Sequence, residues 1–292
     1  MPLLVGIGEL LWDLFPQGPR LGGAPGNFAA HAARLGCRGA VASRVGDDPL
    51  GRAALRELAA LGVEADWVQV DPELPTGTVE VAVDAQGQPT FDIRPEVAWD
   101  ALDCTPAWAA LAAGADAICF GTMASRGPRS LAAVQAFLAA AGPDCLRIFD
   151  VNLRPGCQGP EGVRTLLAHC DVLKVNEDEL PRVAALAGVT GDLAEGLRAR
   201  FGLRLVAVTL GAQGSRLCVA GRSRVEPPMP VAVADTVGAG DAFTAVVAAG
   251  LVQGWDLETL HRRASRLSAY VCSQTGATPD TRAFLATDPG FH

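Results

Sequence analysis

A carboxylate one residue past a pair of glycines is the arrangement in this sequence best suited to chemistry. In Asp235-Thr236-Val237-Gly238-Ala239-Gly240-Asp241-Ala242-Phe243, Gly238 and Gly240 stand where an Ala-rich stretch with helical spacing begins. Glycines at a helix start let a ligand approach the backbone, and the free N–H groups and helix dipole favour an anion there. Asp241 then has two readings. It is an acid complementing the dipole of a first helical turn, or a carboxylate that takes the proton of an alcohol while Gly238, Ala239 and Gly240 face a phosphoryl group. An aspartate of ordinary pKa, near ~4, is ionised at neutral pH and able to accept that proton. Such transfer depends mostly on positioning and electrostatics. The stretch is not a P-loop, which ends in G-K-[ST]; the single lysine, Lys174, lies elsewhere.

Other residues could serve the same chemistry. Leu21-Gly22-Gly23-Ala24-Pro25-Gly26-Asn27 is a second glycine-rich stretch, and Asn27 offers a donor and an acceptor suited to a polyol. His31 follows one helical turn later, where a packed helix residue is the plainer reading. Asp13, among apolar neighbours, is a turn or edge residue or a carboxylate for ligand hydroxyls. Asn176 and Glu179 share a helix face, where acids often only complement the dipole but where water around a magnesium ion could also be held. Gly211 and Gly214 allow close approach of a flat or phosphorylated ligand. Gly6-x-Gly8 lacks the third glycine of a dinucleotide fingerprint, Leu11 standing in its place.

The elements that must carry these residues alternate. Short apolar runs at 3–8, 40–45, 117–120, 146–150, 171–175 and 204–209 read as strands. Helical stretches at 28–36, 49–61 and 128–141 lie among them, the pattern of a doubly wound parallel sheet. Residues 214–219 and 222–226 read as further strands, 231–234 as a strand or its end, and the residues from about Thr287 as a loose tail. Between about Val63 and Asp103 the period changes to two. Residues 78–84 and 89–94 form a hairpin there, which suggests a separate small sheet over a site or an interface.

Composition sets bounds. The chain has 292 residues, 49% hydrophobic and 19% charged, with a net charge of −8. That suits one large α/β domain and supplies no basic stripe for nucleic acid. No apolar stretch reaches membrane-spanning length, and the N-terminus lacks the basic start of a signal peptide. The eight cysteines are scattered without a C-x-x-C pair, so reduced thiols in a cytoplasmic protein are expected and a zinc site is not.

Taken together the motifs resemble a known family. Residues 235–241 look like the C-terminal signature of the ribokinase-like (PfkB) carbohydrate kinases, and residues 22–27 resemble their N-terminal signature. Asn176 with Glu179, and residues 209–214, match the intervening nucleotide motifs in the same order. Residues 9–13, 21–36, 75–79 and 98–100 look most like bacterial fructokinases. The resemblance implies a single three-layer α/β/α domain over 1–292, with lid segments at about 9–21 and 64–103, often dimeric through the lid. It implies ATP with Mg2+ as donor and a sugar primary hydroxyl as acceptor, fructose O6 first. Asp241 would be the base, and Gly238, Ala239 and Gly240 the anion hole. Asp13, Gly23 and Asn27 would hold the sugar, and Arg154 would reach the sugar or a phosphate. Thr209, Gly211 and Gly214 would line the nucleotide site, with Glu179 and Asn176 organising magnesium through water.

The same resemblance implies a potassium-like ion beside the anion hole, held by Asp235 and Val237 and, on a looser match, by Val271, Gln274 and Gly276. Two departures stand out. Ser265 replaces an Asn near the adenine, which leaves contacts from Ser265 and Ser268 open, and Gly26 replaces an Ala. Rival acceptors are 2-keto-3-deoxygluconate, ribose, tagatose 6-phosphate and nucleosides. Trp12, Phe28, Phe91 and Trp99 could line a base slot or simply pack, and Arg20 and Arg94 are candidates for a sugar phosphate. A non-catalytic regulatory member is the reading from a different class; Asp241 and its glycines argue against it.

Overall fold

The computed structural model describes residues 1–16, 18–83, 89–123, 126–154 and 160–291. Its centre is β1 (Leu3–Ile7), five residues buried without exception. β1 pairs in parallel with β4 (Arg38–Gly46) on one side and β8 (Ala117–Phe120) on the other. Beyond β8 the parallel order continues through β9 (Leu146–Asp150), β10 (Val172–Asn176) and β11 (Leu205–Thr209). Two antiparallel strands, β12 (Ser215–Val219) and β13 (Arg222–Glu226), finish that edge, and β5 (Val68–Asp71) finishes the other. The nine-stranded order is β13-β12-β11-β10-β9-β8-β1-β4-β5. Strand order reverses at β1, and in open α/β sheets such a switch marks a crevice at the strands' carboxyl ends.

Ten helices are described: α1 (Ala24–Arg34), α2 (Pro49–Ala60), α3 (Pro106–Ala113), α4 (Pro128–Ala140), α5 (Pro160–Leu167), α6 (Glu179–Leu186), α7 (Leu193–Phe201), α8 (Ala239–Val252), α9 (Leu257–Cys272) and α10 (Arg282–Thr287). One core packs Leu111, Phe137, Leu166, Val183 and Leu197 of α3 to α7 against one sheet face. A second packs Phe28 of α1, Phe243 and Val246 of α8, and Leu260 and Leu267 of α9 against the other. The sheet is therefore sandwiched between helices. α8 is buried from Ala242 to Gly250, which explains why its sequence is apolar on every side. No described helix is long and apolar enough to cross a membrane.

A separate four-stranded sheet has the order β3-β2-β6-β7, built from β2 (Leu11–Phe15), β3 (Gly18–Gly22), β6 (Gly77–Val83) and β7 (Pro89–Ile93). This lid is narrower than the expected 9–21 and 64–103. β5 joins the main sheet because Val68 packs with Val41, Ala54 and Leu58, and Val97, Ala98, Trp99, Ala101 and Leu102 are buried in the core. Trp12 pins the lid to α2 through its Nε1–H on the Leu50 carbonyl, 3.0 Å away.

Three local expectations need correction. Residues 231–234 form no strand: Pro227, Pro228 and Pro230 interrupt any ladder, and Val233 is 65% exposed. The tail beyond Thr287 is tied down by the Arg266–Asp288 ion pair and by Phe291 packing on Phe284. α1 begins at Ala24, four residues before the predicted start, because Pro25 suits a first helical turn. Seven cysteines are free thiols, and Cys157 lies outside the described residues.

Candidate active site

The crevice at the sheet switch gathers groups from both faces. Gly238, with φ of 78°, ends the extended segment and opens α8. A Cβ on Gly238 would lie 2.3 Å from the Ala277 carbonyl oxygen, so that position requires glycine. One residue on, α8 presents the N–H groups of its first turn, and Asp241 follows. Asn27 of α1 donates from Nδ2 to Asp241 Oδ2 at 2.8 Å, joining the two glycine-rich stretches across 214 residues of sequence. Gly6 lets this happen: its Cβ would sit 2.3 Å from the Pro25 carbonyl oxygen, so α1 lies directly on β1.

Beneath the glycine turn is a buried charge cluster that sequence reasoning missed. Lys174 Nζ donates to Asp150 Oδ1 at 3.0 Å, and Thr244 Oγ1 donates to Asp150 Oδ2 at 2.8 Å. A Cβ on Gly240 would lie 2.8 Å from Lys174 Nζ, so the ammonium stands immediately behind the turn. Burial alone would lower the lysine's pKa; Asp150, Glu179 and Asp241 outweigh it and hold it above its ordinary value. Asp241 itself is pushed up to about 6, first by burial and then by the Asp150 charge, against the Asn27 hydrogen bond and the charges of Lys174 and Arg154. The carboxylate is thus more basic than a free aspartate while still ionised at neutral pH. That suits a proton acceptor.

On the acceptor side, Asp13 on β2 is pushed up to about 6 by burial, opposed by Arg154. Gly22 on the paired strand leaves it room, since a Cβ there would lie 2.5 Å from Asp13 Oδ2. Gly23, with φ of 110°, turns the chain from lid into α1. Arg154 is exposed, and its charge reaches Glu9, Asp13 and Asp241, so it faces this carboxylate group. Trp12, Phe28 and Trp99 are buried packing residues, and the Phe91 side chain lies outside those described. Arg94 is exposed. A crevice of about 370 Å³ on the far side of α1's first turn is lined by Arg20, Gly22, Asn27, Glu57 and Gly276. Asp241 does not line it; Asp241 lies instead beside Pro25, Phe28, Asp150 and Thr244.

Among the residues expected at the nucleotide, Glu179 is buried, and its two oxygens accept the N–H groups of Leu153 (2.8 Å) and Asn176 (2.9 Å). Asn176 Oδ1 caps α6 by accepting from Asp178 and Glu179. These two residues therefore brace the ends of β9 and β10, and lone pairs on the Glu179 carboxylate are left for the water shell of a magnesium ion. No cluster of three or more metal-ligating side chains occurs among the described residues. Thr209 and Gly214 flank the turn from β11 to β12, with Gly211 in a 3-10 turn between them. Ser265 bonds Ser215 (3.0 Å), which also bonds His261 (2.8 Å). Ser268 is half-buried one turn further along α9.

Of the five residues expected around a monovalent ion, Asp235, Val237 and Gly276 are joined by hydrogen bonds. Asp235 accepts from the N–H groups of Val237 (3.0 Å) and Gly276 (3.1 Å), and Arg20 Nη1 lies 3.7 Å from Asp235 Oδ2. The Val271 carbonyl instead receives the Gln274 N–H, and the Gln274 amide donates to Ser273. The Asp235 carboxylate is thus engaged by two N–H groups and the Arg20 guanidinium. His31 is a brace: its Nε2 meets the Ala277 carbonyl at 3.0 Å, and burial lowers its pKa to about 4.

Residues 18–283 match the family described as pfkB family carbohydrate kinase. This chain belongs to the PfkB family of carbohydrate kinases. It is 35% identical over 262 residues to a fructokinase of Klebsiella pneumoniae, covering 84% of this chain and 83% of the relative. A sugar kinase from Pyrococcus horikoshii, solved with ATP, superposes with a TM-score of 0.83 at 27% identity, covering 99% of this chain and 98% of that one. A double-mutant fructokinase from Vibrio cholerae O395, solved with fructose, ADP and potassium, gives 0.80 at 26% identity, covering 95% and 94%. The α/β architecture is therefore the ribokinase-like fold, and the chain is a carbohydrate kinase of that family.

Proposed function

We propose that this kinase transfers the γ-phosphoryl group of ATP to a primary hydroxyl of a monosaccharide, fructose O6 before any other, with Asp241 as the base. The contact that carries the reading is Asn27 on Asp241 at 2.8 Å, because it brings the sugar loop to the mouth of the anion hole. Asp13, Gly23 and Asn27 orient the acceptor, and Arg154 balances the carboxylates around it. As the acceptor oxygen bonds to the γ-phosphorus, the bond from that phosphorus to the ADP oxygen breaks, and the acceptor's proton passes to Asp241. N–H groups of the Gly238–Gly240 turn hold the equatorial oxygens, with the Lys174 charge behind them.

Asn176 and Glu179 would hold magnesium through its water, and the ion would supply positive charge against the phosphate oxygens. No step is assigned to potassium. Burial of Trp12, Phe28 and Trp99 disfavours them as a base-stacking slot; the Phe91 side chain lies outside those described. Fructose is favoured by the fructokinase relative, and the dimer through the lid and the cytoplasmic location remain part of the same proposal.

The test is ADP release over fructose, ribose, 2-keto-3-deoxygluconate and a nucleoside, with the phosphorylated position read by NMR. Fructose should give the highest kcat/KM; a nucleoside preferred over every sugar would end the reading. Asp13→Ala separates the two substrates. Losing a charged hydrogen-bond acceptor costs about 1.5–3 kcal/mol, so the sugar KM should rise about tenfold or more while the ATP KM stays within about twofold. Steady-state kinetics with each substrate varied decides it, and equal rises in both constants would remove Asp13 from the sugar site.

A further inference from the structure

Glu9 is 2% exposed and stands where β1 leaves the main sheet for the lid. Its Oε1 accepts the Ala24 N–H at 3.2 Å, while its Oε2 is buried with no hydrogen-bond partner among the described residues. Ala24 opens α1, and the residue before it, Gly23, has no side chain to cap that helix. Glu9 thus supplies the cap from a different part of the chain. The two chain crossings between core and lid touch here as well: a Cβ on Gly23 would lie 2.5 Å from the Glu9 carbonyl oxygen. Asn27 N–H donates to the Gly23 carbonyl at 3.1 Å, and the Asn27 side chain holds Asp241 at 2.8 Å. The chain of contacts from Glu9 to Asp241 is therefore continuous.

For packing alone, a carboxyl is a poor occupant of this position. Burial pushes Glu9 up to about 7, opposed by backbone hydrogen bonds from Glu9 and Ala24, and the Asp241 charge raises it further against that of Arg154. The other charged groups around Asp241 are Asp150 and Lys174, and Cys119 on β8 also feels the Glu9 charge. An apolar side chain of similar length would avoid both the burial of a polar group and the like-charge contact. What it could not do is accept the Ala24 N–H.

We propose that Glu9 is a positioning residue for the acceptor side of the reaction: it caps α1 across the lid hinge and so fixes where Asn27 holds Asp241. The inference rests on the reading of Asp241 as the base. Glu9→Met fills the space without an acceptor, and Glu9→Gln keeps one in its side-chain carbonyl.

The experiment is steady-state kinetics with sugar and ATP varied in turn, beside thermal unfolding, for wild type, Glu9→Met, Glu9→Gln and Asp241→Asn. Glu9→Met should lose about tenfold or more in kcat/KM for the sugar, with the ATP KM within about twofold and a melting temperature no lower than wild type. Glu9→Gln should recover most of that loss. Wild-type sugar kinetics in Glu9→Met would overturn the proposal, as would an equal rise in both KM values, an equal loss in Glu9→Gln, or a loss that merely follows a fallen melting temperature. If Glu9→Met fails to fold, Glu9→Gln decides: sugar kcat/KM near wild type supports the cap, and a tenfold loss overturns it. Asp241→Asn isolates the parent reading, since near-normal turnover there removes the base whatever Glu9 does.

Discussion

Asp241→Asn is expected to fold and to bind both sugar and ATP while losing turnover by ~10²-fold or more, the range for removal of a general base. Asparagine keeps an oxygen for the Asn27 amide, so the contact between α1 and α8 survives the change. The N–H groups of the Gly238–Gly240 turn are untouched, and they account for the residual rate. What the variant lacks is a group to receive the acceptor's proton. Calorimetry for each substrate and steady-state kcat check the two halves separately. Lost binding would make Asp241 a structural residue; near-normal turnover would remove it from the chemistry.

Lys174→Met is expected to destabilise the protein by ~3–5 kcal/mol, the cost of breaking a buried ion pair from one side. Among the described residues, Asp150 would keep only the Thr244 hydroxyl as a side-chain partner, beside the Asp241 carboxylate and under the glycine turn. Removing both partners is milder, because no unpaired charge is left, so Lys174→Met combined with Asp150→Leu should recover about half of the loss or more. Urea unfolding measures both. A single-variant loss under about 1 kcal/mol would mean that the pair does not hold β9 to β10 and α8 as described.

The parts legible in the sequence were those whose chemistry forces residue types into a short span. Residues 235–241 carry the glycines and the carboxylate of the candidate anion site within seven positions, and the apolar runs locate the main sheet's parallel strands other than β5 to within a residue or two. The lid hairpin was visible because one wetted face imposes alternation. What stayed hidden depends on separation. Lys174 and Asp150 are 24 residues apart and look like ordinary ends of two strands. Glu9 closes an apolar run and gave no sign that it would cap a helix beginning at residue 24. The apolar run at 231–234 misled because composition reports nothing about ladder partners, and the flanking prolines were the better guide. Glu179 reads from sequence as a dipole-complementing acid or a holder of magnesium's water, and in the fold its oxygens hold two backbone N–H groups.

The most direct measurement of the central claim is the pH dependence of single-turnover phosphoryl transfer from labelled ATP to fructose, at saturating substrates, from about pH 5 to about pH 8. Asp241 must be ionised to act, and its carboxyl is held at about 6. The transfer rate should therefore climb with pH through a midpoint near that value and then level off, and Asp241→Asn should show a low rate without that step. A flat wild-type profile, or the same step surviving in Asp241→Asn, would contradict the account.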